Sequence, residues 1–170
     1  MAEHAKPRKG LWIAAGLGDA DGVRRFLDRD GKPTAAARQL RPDFNTVGPG
    51  GVPNHPDPDD DTILREAFLV AMLNRRTKVL EYMVSRGFQL NSLAWGSPMI
   101  VMAVGNVWPD VVECLVRCGA DLELRGWRPS STARELAAEM FLDSVPNANV
   151  RRVVELCGMD PDKLLAERAD

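Results

Sequence analysis

Three stretches of this chain end in the same way: VRRFLDRDG at 23–31, VLEYMVSRG at 79–87 and VVECLVRCGAD at 111–121. In each, apolar residues at the spacing of one helix face run into polar residues and then a glycine. Glycine lacks a Cβ, so it enters the left-handed conformation that ends a helix without steric cost. From Gly87 to Gly119 is a step of about 32 residues, inside the range of about 20–50 residues that marks repeat proteins. In such proteins one unit cannot bury its apolar face alone, and stacked neighbours share a continuous core.

Each of these helices follows another short apolar helix. GLWIAAGLGDADGVRRFL spans 10–27, SPMIVMAVGN spans 97–106 and TARELAA spans 132–138. The paired small residues Ala14-Ala15 and Ala137-Ala138 let such helices pack closely, and Ser97 or Thr132 can cap them, with Pro98 in the first turn. This arrangement resembles the ankyrin repeat pattern TPLHLAA-xx-GH-x-E-VV-x-LL. Leu11, Ala14, Ala15, Gly18, Val23, Phe26 and Leu27 stand where the pattern wants them. The resemblance covers 10–31 and 63–158. It implies an all-α, ankyrin-like helix-turn-helix repeat solenoid in a single domain over 1–170, with about four repeats at 10–31, 63–91, 92–124 and 125–158. A short capping helix over 160–168 is expected to close the array. Asp160 would cap it, Pro161 would open it, and Leu164 and Leu165 would dock onto the fourth repeat.

The sequence departs from the pattern most between 32 and 62, an irregular insertion after the first repeat. Thr34 is placed to cap a short helix running through Leu40, and the glycines and prolines from Gly48 to Pro58 then forbid regular structure. Asp57, Asp59, Asp60 and Asp61 precede an apolar helix expected to begin near Ile63. Negative charge there suits a helix N-terminus, and the alternating ligands of a calcium loop are missing. The second repeat lacks both the Thr-Pro opening and the glycine between its helices, but it keeps helical periodicity.

The resemblance also implies a cupped array whose finger turns and inner helices line a concave side. Trp95 and Trp127 each stand eight residues after a helix-ending glycine, on equivalent fingers, with Arg128 beside the second. Exposed rings there would serve as binding anchors, and the alternative is that both rings pack back onto the repeats. Trp12 is expected to be buried between repeats, and Trp108 to shield an inter-helix turn. The positions after each small pair, Gly16-Leu17, Leu73-Asn74, Val104-Gly105 and Glu139-Met140, are expected to face the cup. A shallow apolar groove of this kind suits a peptide helix or a hydrophobic small molecule.

Little else in the chain carries chemistry. With 45% hydrophobic and 27% charged residues and a net charge of −2, it has no basic excess for nucleic acid. No apolar run approaches the roughly 18 residues of a membrane span, and the basic start has no apolar core of a secretory signal. Three cysteines without disulfide-like spacing fit a reducing compartment, so a cytoplasmic location is expected. Cys114 and Cys118 share a helix face without a nearby third ligand, so they read as semi-buried helix residues and no metal is expected. His4 and His55 stand outside any nucleophile motif, and no P-loop, dinucleotide fingerprint, HExxH or CxxC is present. No cofactor is expected. Were the chain an enzyme, Asp43, His55 and Glu66 would be its candidate groups, with a desolvated carboxylate as base. The expected function is a protein-protein interaction module binding a protein partner along the concave face. The alternative is a small-molecule binding protein or enzyme, with the 32–62 loop folded over that face as a lid.

Overall fold

The computed structural model describes residues 10–42, 58–94, 96–127, 130–143 and 147–169. The chain is mostly helical and divides into two compact units, Met1–Phe88 and Gln89–Asp170.

The first unit holds α1 (Leu11–Leu17), α2 (Ala20–Arg25), α3 (Ala35–Gln39), α4 (Asp60–Leu73) and α5 (Thr77–Ser85). α1 packs on α2 and α4, and α5 packs on α4 and α2. Leu11, Val23, Ile63, Met72, Leu80 and Met83 fill the core, and the Phe68 and Phe88 rings stack 4.2 Å apart. Trp12 is buried as well. A Cβ at Gly16 would sit 3.0 Å from Val70 and 3.6 Å from Asn74, so the C-terminal ends of α1 and α4 lie side by side.

The α1–α2 and α4–α5 turns of this unit close by the same pair of hydrogen bonds. The Asp19 amide donates to the Ala14 carbonyl (2.9 Å) and Gly18 to Ala15 (3.2 Å). Arg76 donates to Ala71 (2.9 Å) and Arg75 to Met72 (2.9 Å). This is the Schellman arrangement, whose penultimate residue adopts the left-handed conformation. Gly18 does so freely (φ 81°), while Arg75 does so despite its side chain (φ 56°). The α4–α5 turn therefore keeps this geometry without the glycine that usually announces it.

Two expectations need correction here. Gly31 does not end α2, which stops at Arg25. It lies in a turn closed by Asp28 onto Lys32 (2.8 Å), and a Cβ there would come within 2.0 Å of the Arg86 carbonyl. α4 begins at Asp60, three residues before Ile63, because the Asp59 carboxylate accepts the Thr62 amide (2.7 Å) and Asp60 and Asp61 occupy the first turn. α3 forms as expected behind Thr34 (3.3 Å to the Ala37 amide). Two ion pairs tie α3 and the residues after it to α4. Arg38 reaches Asp60, and Arg41 grips Glu66 through Nε (3.0 Å) and a terminal nitrogen (2.6 Å). The remainder of the insertion, 43–57, lies outside the described residues.

The second unit holds β1 (Leu93–Ala94), β2 (Ser97–Pro98), α6 (Met99–Gly105), α7 (Pro109–Arg117), α8 (Ala133–Asp143), α9 (Ala148–Leu156) and α10 (Pro161–Ala169). The antiparallel strands, paired Leu93 with Pro98 and Ala94 with Ser97, depart from a purely helical expectation. Pro98 ends β2 and stands at the N-cap of α6, outside its first turn. Met99, Val101, Val111, Leu115, Phe141 and Val154 are buried, with α6 packed on α7 and α8, and α9 on α7 and α8. α8 opens with a reciprocal cap. Thr132 Oγ accepts the Glu135 amide (3.1 Å) while the Glu135 carboxylate accepts the Thr132 amide (2.9 Å). Asn147 caps α9, and Asp160 accepts the Asp162 and Lys163 amides ahead of α10. α10 rests on α8 and α9 with Pro161 buried, but of its two leucines only Leu164 turns partly inward; Leu165 is 43% exposed.

The Schellman bonds recur in this unit, from Trp108 to Ala103 (3.2 Å) with Val107 to Val104 (2.9 Å), and from Ala120 to Leu115 (2.9 Å) with Gly119 to Val116 (3.0 Å). α5 ends in the same way, at Phe88 to Met83 and Gly87 to Val84, and α9 at Met159 to Val154 and Gly158 to Glu155. The left-handed pair Arg75 and Gly87 thus returns as Val107 and Gly119, both members displaced by the same step along the chain.

Candidate interaction surface

In the second unit the hairpin and the segment around Trp127 lie backbone to backbone. The Trp127 amide donates to the Gly96 carbonyl (2.9 Å), and a Cβ on Gly126 would meet that same oxygen at 2.2 Å. The indole covers Gly96 so closely that a Cβ there would fall 2.1 Å from Cε2. Even so, Trp127 is 62% exposed. The ring rests on the body of the unit and still presents most of its surface to solvent, so the two readings of this residue are not exclusive. Leu93 on the hairpin is also exposed. Trp95 and Arg128 lie outside the described residues. Trp108 is half-buried at the N-cap of α7.

Of the helix-end residues expected to face a partner here, Glu139 is exposed and Met140 is half-buried on α8. Val104 is a correction. It has no exposed surface, because it follows Ile100 and Val101 by one helical turn on the buried face of α6. Its neighbours Gly105 and Asn106 carry the exposure.

In the first unit Leu17 is 71% and Leu73 52% exposed, at the adjoining ends of α1 and α4. Ile13, one turn before Leu17, is exposed on the same face. Sequence reasoning missed it, although its i,i+4 relation to Leu17 was the available signal. Asn74 is exposed, but its amide nitrogen turns back to the Val70 carbonyl (2.8 Å), as Asn106 does to Met102 (2.8 Å). Both asparagines thus spend a donor on their own helix ends.

Of the residues weighed for catalysis, only Glu66 is among those described. Both oxygens of Glu66 are held by Arg41, with 20% and 11% of the two side chains exposed, so this carboxylate ties α4 to the preceding segment. Asp43 and His55 lie outside the described residues. Among the described residues no three His, Cys, Asp or Glu side chains converge as a metal would require. Cys114 and Cys157 are buried, and burial pushes the Cys157 thiol up to about 11. No described helix is long and apolar enough to cross a membrane. Comparison of the chain with models of known protein families finds no match, and comparison with curated proteins finds none either.

Proposed function

We propose that the chain is an ankyrin-like array of about four helix-turn-helix repeats that binds a protein partner through its finger turns and inner-helix ends. The fold half of this reading is supported by the recurrence of the Schellman pair at a step close to the ankyrin period, in turns that bear different residues. The binding half is carried by Trp127. A large indole seated on backbone at Gly96 offers contact area with little side-chain freedom left to lose, which is what makes tryptophan a frequent anchor of interfaces. On the first unit, taken by itself, Leu17, Ile13 and Leu73 form an exposed aliphatic patch of the kind that suits apolar side chains of a partner. Three free thiols suit a reducing compartment such as the cytoplasm.

The test is affinity capture from cell lysate with the intact chain and with Trp127→Ala, compared by quantitative mass spectrometry at matched folded fraction. A protein held by the intact chain and lost from the variant supports the reading. Retention of every captured protein by a folded variant removes Trp127 from the interface and the proposal with it.

A further inference from the structure

Within the first unit, α2 and α5 flank an open cleft of about 690 Å³ that the interaction surface does not use. Its lining includes Arg24, Arg29, Arg86, Asp28 and Tyr82. The three guanidinium groups are held or left free in different ways. Arg24 lies over the Tyr82 ring, its guanidinium carbon 5.5 Å from the centroid, with only a long, exposed contact to Asp21 (3.6 Å) as an ion pair. Arg86 is fixed by donating to the backbone carbonyls of Asp28 (3.1 Å) and Arg29. Arg29 is exposed and its side chain has no ion pair among the described residues. The lining carboxylate, Asp28, turns Oδ1 into its own loop, where it accepts the Asp30 and Lys32 amides (2.9 Å each).

We propose that this cleft is an anion site for a phosphate monoester. Among the lining side chains, three arginines against one aspartate leave two positive charges in excess, drawn on only by the long contact of Arg24 to Asp21, which suits the charge of about −1.5 to −2 on such a group at neutral pH. A carboxylate would leave one of them uncompensated. Guanidinium is the side chain best shaped for phosphate, donating in a planar fork. Two of the three are already oriented, Arg24 by the tyrosine ring and Arg86 by the carbonyls, so binding orders mainly Arg29. The cleft is larger than a phosphate and leaves room for the group that carries it. None of these residues belongs to the surface around Trp127 or to the ends of α1 and α4, so this site and the protein-binding reading stand or fall separately.

Tyr82 is the only tyrosine in the chain, so uniform 3-fluorotyrosine labelling gives one ¹⁹F resonance inside the cleft. The full-length labelled protein is titrated with phenyl phosphate and inorganic phosphate, and with benzoate at matched ionic strength. The expected result is a saturable shift with the phosphates and a much weaker response to benzoate. Affinity is expected to fall about tenfold in Arg29→Gln, the loss of one charge-assisted contact. That variant removes an exposed side chain, and an unchanged melting temperature verifies its fold. Equal affinities for the two phosphates identify free phosphate as sufficient. Tighter phenyl phosphate binding identifies a phosphoryl group carried on a larger molecule. No saturable shift, an equal response to benzoate, or undiminished affinity in folded Arg29→Gln overturns the proposal.

Discussion

Gly96 and Trp127 share one small volume, so a side chain at 96 and the indole of 127 cannot both be accommodated. A methyl group at 96 would overlap the indole, and the backbone there sits at φ 83°, where an L-residue is strained by about 1–2 kcal/mol. Gly96→Ala is therefore expected to lower the melting temperature and to displace the ring. In the capture experiment it should lose the same partner as Trp127→Ala. Trp127→Ala alone should perturb stability less, because most of its ring is already in water. A Gly96→Ala protein that keeps the partner would show that the seating of the indole is unimportant. The thiols give a second prediction at this scale. Cys118 is half-buried, whereas Cys114 and Cys157 are enclosed and Cys157 is also shifted away from the reactive thiolate. An aromatic disulfide reagent should label one thiol quickly in the folded protein and all three after denaturation. Two fast thiols would contradict the burial. The offset of Trp127 from Gly119 singled the residue out but left open whether its ring is exposed or packed back. Its dependence on Gly96 was not legible, because that contact joins positions about 30 residues apart, far beyond the reach of any local pattern. Val104 was misplaced because a rule of position was applied where helical periodicity, through Ile100 and Val101, already put it in the core.

At the level of the element, helix ends carry much of the specification. The Thr132–Glu135 cap fixes the start of α8, and Thr132→Ala is expected to lower stability by about 1 kcal/mol in chemical denaturation. The Glu135 carboxyl is held below its usual range by the Arg125 guanidinium first and the Thr132 amide second. A depressed folded-state value contributes stability that is fully present above the unfolded value, about 4.3, and is lost as pH falls through the folded value. Glu135→Gln should accordingly flatten the acid limb of the stability profile below about pH 4, and an unchanged limb would count against the cap. Val107 offers the opposite case. A β-branched residue at φ 52° is strained, so Val107→Gly is expected to stabilise by about 0.5–1 kcal/mol despite the loss of a half-buried side chain. A shift of the denaturation midpoint to lower denaturant would mean that packing of Val107 outweighs its backbone strain. The repeat was readable at Gly87 and Gly119 because glycine marks the left-handed position. It was invisible at Arg75 and Val107, where hydrogen bonding imposes the same conformation on residues that do not advertise it. The two-residue strands β1 and β2 were unreadable for a different reason, since two residues carry no period.

For the molecule as a whole, helical character and helix order followed from the helical periodicity of the apolar residues. The extra length between α2 and α4 followed from the wider spacing of Gly31 and Gly87 beside that of Gly87 and Gly119. On the second unit, Glu113, Arg152, Glu155, Arg151 and Asp162 form a chain of exposed ion pairs linking α7, α9 and α10. Such pairs contribute little singly. The pairs that hold α3 and its following residues to α4 are better enclosed. Arg41→Ala would leave Glu66 half-buried and unmatched, and is expected to destabilise by about 1–3 kcal/mol. With Arg38 on Asp60 and Arg41 on Glu66, the two stretches of chain that flank residues 43–57 are clasped to each other at two points. That clasp is made by side chains of the flanking stretches alone, which makes it the place where this scaffold can acquire a new passenger.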